Sequence, residues 1–193
     1  MKRIEEIYRE ILYQAIENKK LKSTQLELSK RLNLSLSMVN LAFKPLKRMN
    51  AIKVNPRNYE IISTKKILLY WASMRNLEKD IIYKTRIDAD ASEIEKRMSA
   101  NIVFTAFSGY KFMFNEVPAD YSEVYVYGDL EAKERFKGKE GNPNLFILKK
   151  DKTFDLYKKL TIAQLFVDLW NLNQWYAKDF LKAMEEKLNG ILA

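Results

Sequence analysis

Between Leu28 and Tyr59 the chain carries seven basic residues, Lys30, Arg31, Lys44, Lys47, Arg48, Lys53 and Arg57, and no acidic one. Cations gathered on one segment do one kind of chemistry: they hold a polyanion and displace its counterions, and the usual polyanion is nucleic acid. The imbalance is regional. Residues 1–66 hold fifteen Lys and Arg against six Asp and Glu, a net +9 that equals the formal charge of the whole chain. Residues 67–193 hold nineteen of each sign. A charge that served solubility alone would be spread along the chain.

The residue types that catalysis needs are mostly missing. With no Cys there is no thiolate metal site and no disulfide. With no His the chain lacks the commonest general base and the commonest transition-metal ligand, and a Ser–His–Asp set is excluded. The five glycines are scattered and form no phosphate-cradling loop. Carboxylates remain. A two-metal nucleotidyl-transfer site needs paired acids holding ions about 4 Å apart. The clearest strand, around Val124–Tyr127, is flanked by Glu123 and Asp129, which an extended chain sets about 20 Å apart. The sequence therefore assigns no catalytic residue, no metal ligand and no cofactor, and an enzyme is not expected.

The elements that must present the cations follow from periodicity and caps. Ile4, Ile7, Tyr8, Ile11, Leu12 and Ala15 recur at helical spacing and predict a first helix. Ser23 or Thr24 caps a second, with Glu27 completing a capping box and Leu26, Leu28 and Leu32 as its apolar face. After the turn Asn33-Leu34, Ser35 caps a third helix with Val39, Ala42, Phe43, Leu46 and Met49 inward. Pro45 removes one bond of that helix and predicts a bend after its first two turns. Ile52–Val54 and Tyr59–Ile62, joined by Asn55-Pro56-Arg57-Asn58, predict a hairpin with Arg57 at its tip. Two helices joined by a short turn form a helix-turn-helix unit. The stretch TQLELSKRLNLSLSMVNLAFKPLKRMNAI resembles that of the large winged-helix regulator family, which makes residues 1–64 the expected DNA-binding domain.

In such a unit the start of the third helix meets base edges in the major groove. Ser35, Ser37, Met38, Asn40, Leu41 and Lys44 face outward there. Asn40 suits a two-pronged pair with adenine, and Met38 or Leu41 suits a thymine methyl. Lys30, Lys47 and Arg48 suit phosphates, and Arg57 suits a narrow minor groove. The expected partner is double-stranded DNA. The alternatives are a basic clamp on an RNA-handling or nucleotidyl-transfer enzyme, and a protein-interaction module.

The neutral remainder, 65–193, reads as a small α+β domain for dimerisation, partner binding or sensing, so the fold class is α+β throughout. Ser63-Thr64 caps a fourth helix, an extended piece lies within 80–88, and Asp90 or Ser92 starts another helix. NIVFTAFSGYKFMF is too apolar to be exposed and reads as a buried strand or helix. SEVYVYGD is a strand with Val124 and Val126 on one face and Tyr125 and Tyr127 on the other. A short helix follows at 130–136, then a loop, a strand at 144–148 and two closing helices, the first capped by Thr161. Tyr110, Phe112, Phe114, Tyr121, Tyr125 and Tyr127 suit a core or, through the tyrosine hydroxyls, a ligand or partner surface; Trp170, Trp175 and Tyr176 suit a core and would also serve a dimer seam. The order winged helix, FTAFSGYKFMF, VPADYSEVYVYGDL, LTIAQLFVDLWNLNQWYAKDFLKAME resembles the AbiEi-type antitoxin and regulator group over most of the chain. That resemblance implies a degenerate nucleotidyltransferase-like domain, an autorepressor and a toxin-like protein partner. A homodimer is expected, because one recognition helix reads few base pairs. No run is apolar enough to span a bilayer and the start has no signal-peptide core, so no membrane partner and a cytoplasmic location are expected.

Overall fold

The first helix, α1 (Arg3–Ile16), is buried on its charged side as well as its apolar one. Ile7, Tyr8, Ile11 and Leu12 are fully buried, as periodicity predicts, and Glu5, Glu6, Arg9 and Glu10 are each at most 2% exposed. A helix closed on all sides must be wrapped by the rest of the chain. The computed structural model describes residues 1–128, 134–136 and 138–190. Around α1 stand α2 (Gln25–Leu32), α3 (Leu36–Arg48) and α4 (Thr64–Met74), together with α7 (Ile162–Trp170) from the far end of the chain.

Beside them β1 (Lys22–Ser23), β2 (Ile52–Val54) and β3 (Tyr59–Ile61) form an antiparallel sheet in the order β1-β3-β2. The remainder is a mixed α+β unit. Strands β4 (Ile81–Thr85), β5 (Val103–Thr105), β6 (Val124–Gly128) and β7 (Leu145–Lys149) lie in the order β4-β7-β6-β5. The β6–β7 pair is parallel and the other two pairs are antiparallel. Helices α5 (Ala91–Lys96), α6 (Ala106–Phe114) and α8 (Ala177–Leu188) also belong to it. Thr24, Ser35, Ser63, Asp90 and Thr161 each accept a backbone N–H and start a helix where the sequence places a cap.

Every residue of β6 is buried, and its two faces feed different cores as the alternation predicts. Val124 and Val126 join Ile94, Leu145 and Ile147. Tyr125 and Tyr127 join the larger cluster that runs through α1, α3, α4, α7 and α8, and so crosses the expected boundary at residue 64. NIVFTAFSGYKFMF is both strand and helix, with Ala106 at φ +54° making the sharp turn between β5 and α6. Gly109 permits this turn, because a Cβ there would lie 3.0 Å from the Phe104 carbonyl oxygen and 3.2 Å from Leu165.

Four apolar side chains expected in the core lie at the surface instead. Leu26 is 49% exposed and Phe112 55%, because each lies on the outer side of its helix. Trp170 and Trp175 are also exposed, at 43% and 73%, and only Tyr176 of that group is core. Asp129, most of the expected 130–136 helix and residue 137 of the loop lie outside the described residues.

A buried polar network ties α1 to the C-terminal unit. Arg9 grips Asp151 with two bonds of 2.8 and 2.6 Å, donates to Thr153 at 2.8 Å and stacks 4.8 Å from the Tyr157 ring centre. Burial raises the Asp151 carboxyl, but the Arg9 guanidinium outweighs it and holds the group below its ordinary value. Tyr157 donates to Glu10 at 2.8 Å, and Thr153 donates to Glu6 at 3.1 Å. A second centre forms on Arg75, which contacts Asp80, Glu5, Asp168 and the Tyr127 hydroxyl. Asp168 accepts from Tyr127 at 2.7 Å, Thr105 at 2.8 Å and Gln164 at 2.9 Å. Burial pushes the Asp168 carboxyl up even so.

Breaking one partner of a buried pair leaves the other uncompensated, at about 3–5 kcal/mol. Arg9→Met is therefore expected to lower unfolding stability by about that amount in urea titration, and an unchanged midpoint would contradict the network's role. Glu17, just past α1, accepts the Ile162 N–H at 2.8 Å at the start of α7. Burial pushes its carboxyl from 4.5 to about 7. Between those values the folded chain binds a proton that the unfolded chain lacks, so stability falls as pH rises through this range and levels above it. The full contribution is at most about 3 kcal/mol. Glu17→Gln should remove that slope from stability measured between pH 4.5 and 8.

Candidate nucleic-acid interface

The turn between α2 and α3 is built by small polar residues. Asn33 closes α2 at φ +51°, a left-handed position that Asn tolerates. Ser29 donates to the Leu34 carbonyl at 2.6 Å, and the Leu34 N–H bonds Ser29 O at 3.0 Å. Ser35 then accepts the Met38 N–H at 3.2 Å and lies 3.1 Å from the Ser37 hydroxyl. Its hydroxyl is therefore engaged as the helix cap.

At about 3.6 residues per turn, α3 has one inner and one outer side. Val39, Ala42, Phe43 and Leu46 are buried, and the Tyr8 hydroxyl donates to the Ala42 carbonyl at 3.1 Å, pinning α3 to α1. Ser37, Asn40, Leu41, Lys44, Lys47 and Arg48 are exposed along the opposite arc. Met38 and Met49 sit at the margins, half-buried against the core, so Met38 presents less surface than expected. Pro45 removes one backbone donor without ending the helix, which runs on to Arg48.

The β2–β3 hairpin stands beside this arc. Its turn is closed by the Asn55 N–H to Asn58 O at 2.8 Å and by the paired Asn55 and Asn58 side chains at 3.0 Å, leaving Arg57 exposed at the tip. Between the start of α2, the start of α3 and the hairpin lies an open groove of about 460 Å³, lined by Leu26, Leu36, Asn40, Val54 and Arg57 among others. Leu36 and Val54 were not singled out from sequence. The helical spacing from Leu36 to Asn40 was the signal that could have found the first.

The charges divide cleanly. Arg31 is drawn to Glu10 at 2.6 Å, Lys22 pairs with Glu60 at 3.2 Å and Lys20 with Glu27 at 3.5 Å. Lys30, Lys44, Lys47, Arg48, Lys53 and Arg57 make no ion pair among the described residues. All six are exposed. Three of the six acids in the first 66 residues, Glu5, Glu6 and Glu10, are buried inside, so the surface keeps the cations. An exposed arc of unpaired cations beside a basic hairpin tip can hold a phosphate backbone while Asn40 approaches base edges. Among the described residues, no group of three or more acidic side chains is placed to hold a metal ion, and no helix is long and apolar enough to cross a membrane. Compared with known proteins, the chain matches no family model, no curated protein and no solved structure.

Proposed function

We propose that the protein is a sequence-specific, double-stranded DNA-binding transcriptional regulator in which residues 1–64 act as a winged helix. The observation that carries this reading is the outer arc of α3, where Lys44, Lys47 and Arg48 stand unpaired beside the Lys53 and Arg57 hairpin. In this reading α3 enters the major groove, with Asn40 pairing to adenine and Ser37 beside it. Lys30, Lys47 and Arg48 hold phosphates, and Arg57 reaches the adjacent minor groove. A homodimer would supply two half-sites, and the exposed Trp170 and Trp175 are available to a seam. The resemblance to AbiEi-type regulators extends the reading to an autorepressor with a toxin-like protein partner. The C-terminal unit then serves dimerisation, partner binding or sensing.

The test is a titration of purified protein against duplex DNA from its own upstream region and against random duplex, across a salt series. If each of the six exposed, unpaired cations displaces one counterion, affinity falls about a thousandfold between 50 and 200 mM salt. Lys44→Ala and Arg57→Ala should each weaken binding to both duplexes and reduce the salt slope by about 1. Asn40→Ala should lose about 1–3 kcal/mol of discrimination at one base pair. No binding at low salt would refute the proposal, and equal losses for Asn40→Ala on every sequence would make it a backbone contact.

A further inference from the structure

We infer that this surface is built for A·T base pairs and reads thymine through its C5-methyl group. The inference rests on the DNA-binding reading and names the duplex that reading leaves open. Leu36 and Leu41 are 44% and 48% exposed and stand at the two edges of the α3 arc, with Asn40 and Lys44 between them. Across the groove from Leu36 lie Leu26, 49% exposed, and Val54, 36% exposed.

Apolar side chains on a cationic surface gain nothing from phosphates, which Lys30, Lys47 and Arg48 meet in this reading. In the major groove the four ordinary bases offer one methyl group, on thymine. Guanine is read by arginine or lysine, best by a forked guanidinium, and Lys44 stands in the second half of α3. The first half of α3 has neither: Arg31 is held by Glu10 at 2.6 Å, Arg48 lies at the far end of the helix, and Arg57 belongs to the hairpin. The bidentate reader that this half does carry is Asn40, whose match is adenine. Adenine and thymine methyl lie side by side in one base pair, as Asn40 lies beside Leu36 and Leu41. The minor-groove partner agrees, since narrow A·T tracts attract an inserted arginine.

Three duplexes of equal length test this at one salt concentration: alternating dA·dT, alternating dA·dU and alternating dG·dC. Replacing thymine by uracil removes the methyl group and keeps every hydrogen-bonding group. Two methyl contacts predict that dA·dT binds about tenfold tighter than dA·dU, with dG·dC no tighter than dA·dU. The double variant Leu36→Ser/Leu41→Ser, its fold checked by thermal unfolding, should close the gap between dA·dT and dA·dU. Equal binding of those two duplexes by the natural protein, tightest binding to dG·dC, or a gap that persists in the variant would overturn methyl reading. Absence of binding to all three at low salt would instead remove the DNA-binding reading beneath it.

Discussion

The structure depends on keeping two buried guanidinium groups satisfied. Arg9 and Arg75 lie at 1% and 5% exposure, where an unpaired charge would be untenable. Their partners come from far along the chain: Asp151 for Arg9, and Asp168, Asp80 and Tyr127 for Arg75. Satisfying both at once brings α1, α4, β6 and α7 to one place. A purely apolar junction of the same helices would tolerate sliding, since dispersion and burial have no direction. Hydrogen-bonded charges set register, and here they set it between the first helix and the C-terminal sheet.

That register reaches the candidate interface. Helix α3 packs on α1 through Val39, Ala42, Phe43 and Leu46, with the Tyr8 hydroxyl on the Ala42 carbonyl. The outer arc is thus oriented by the same helix that the ionic network anchors. The network also sorts charge. By drawing Glu5, Glu6 and Glu10 inward it leaves the surface between α2, α3 and the hairpin short of carboxylates. In the proposed reading this strengthens the field toward a phosphate backbone without adding a single lysine.

Local features were legible in the sequence because local rules produce them. Caps at Thr24, Ser35, Ser63, Asp90 and Thr161, the alternation through Val124–Tyr127 and the Asn55–Asn58 turn all act within a few residues. The arc of α3 was equally legible, as 3.6-residue spacing separates Val39, Ala42 and Phe43 from Asn40 and Lys44. The network was not. Periodicity places Glu5, Glu6, Arg9 and Glu10 on the polar side of α1, and nothing nearby announces partners some 140 residues away. Leu26 and Leu36 misled or escaped for a related reason. An apolar residue at the first turn of a helix reads as core unless the neighbouring elements are known, and here the hairpin stands across an open groove from it. The parallel β6–β7 pairing and the two-residue β1 likewise depend on contacts that no short window contains.

In the proposed reading the α3 arc and the hairpin tip form one nucleic-acid surface. Backbone amide chemical-shift mapping of the labelled protein, titrated with an A·T-rich duplex, tests it most directly. Perturbations are expected to concentrate at residues 36–48 and 53–58 and to leave α5, α6 and α8 unmoved. Perturbations centred on the Trp170–Trp175 surface, or none at saturating duplex, would contradict it.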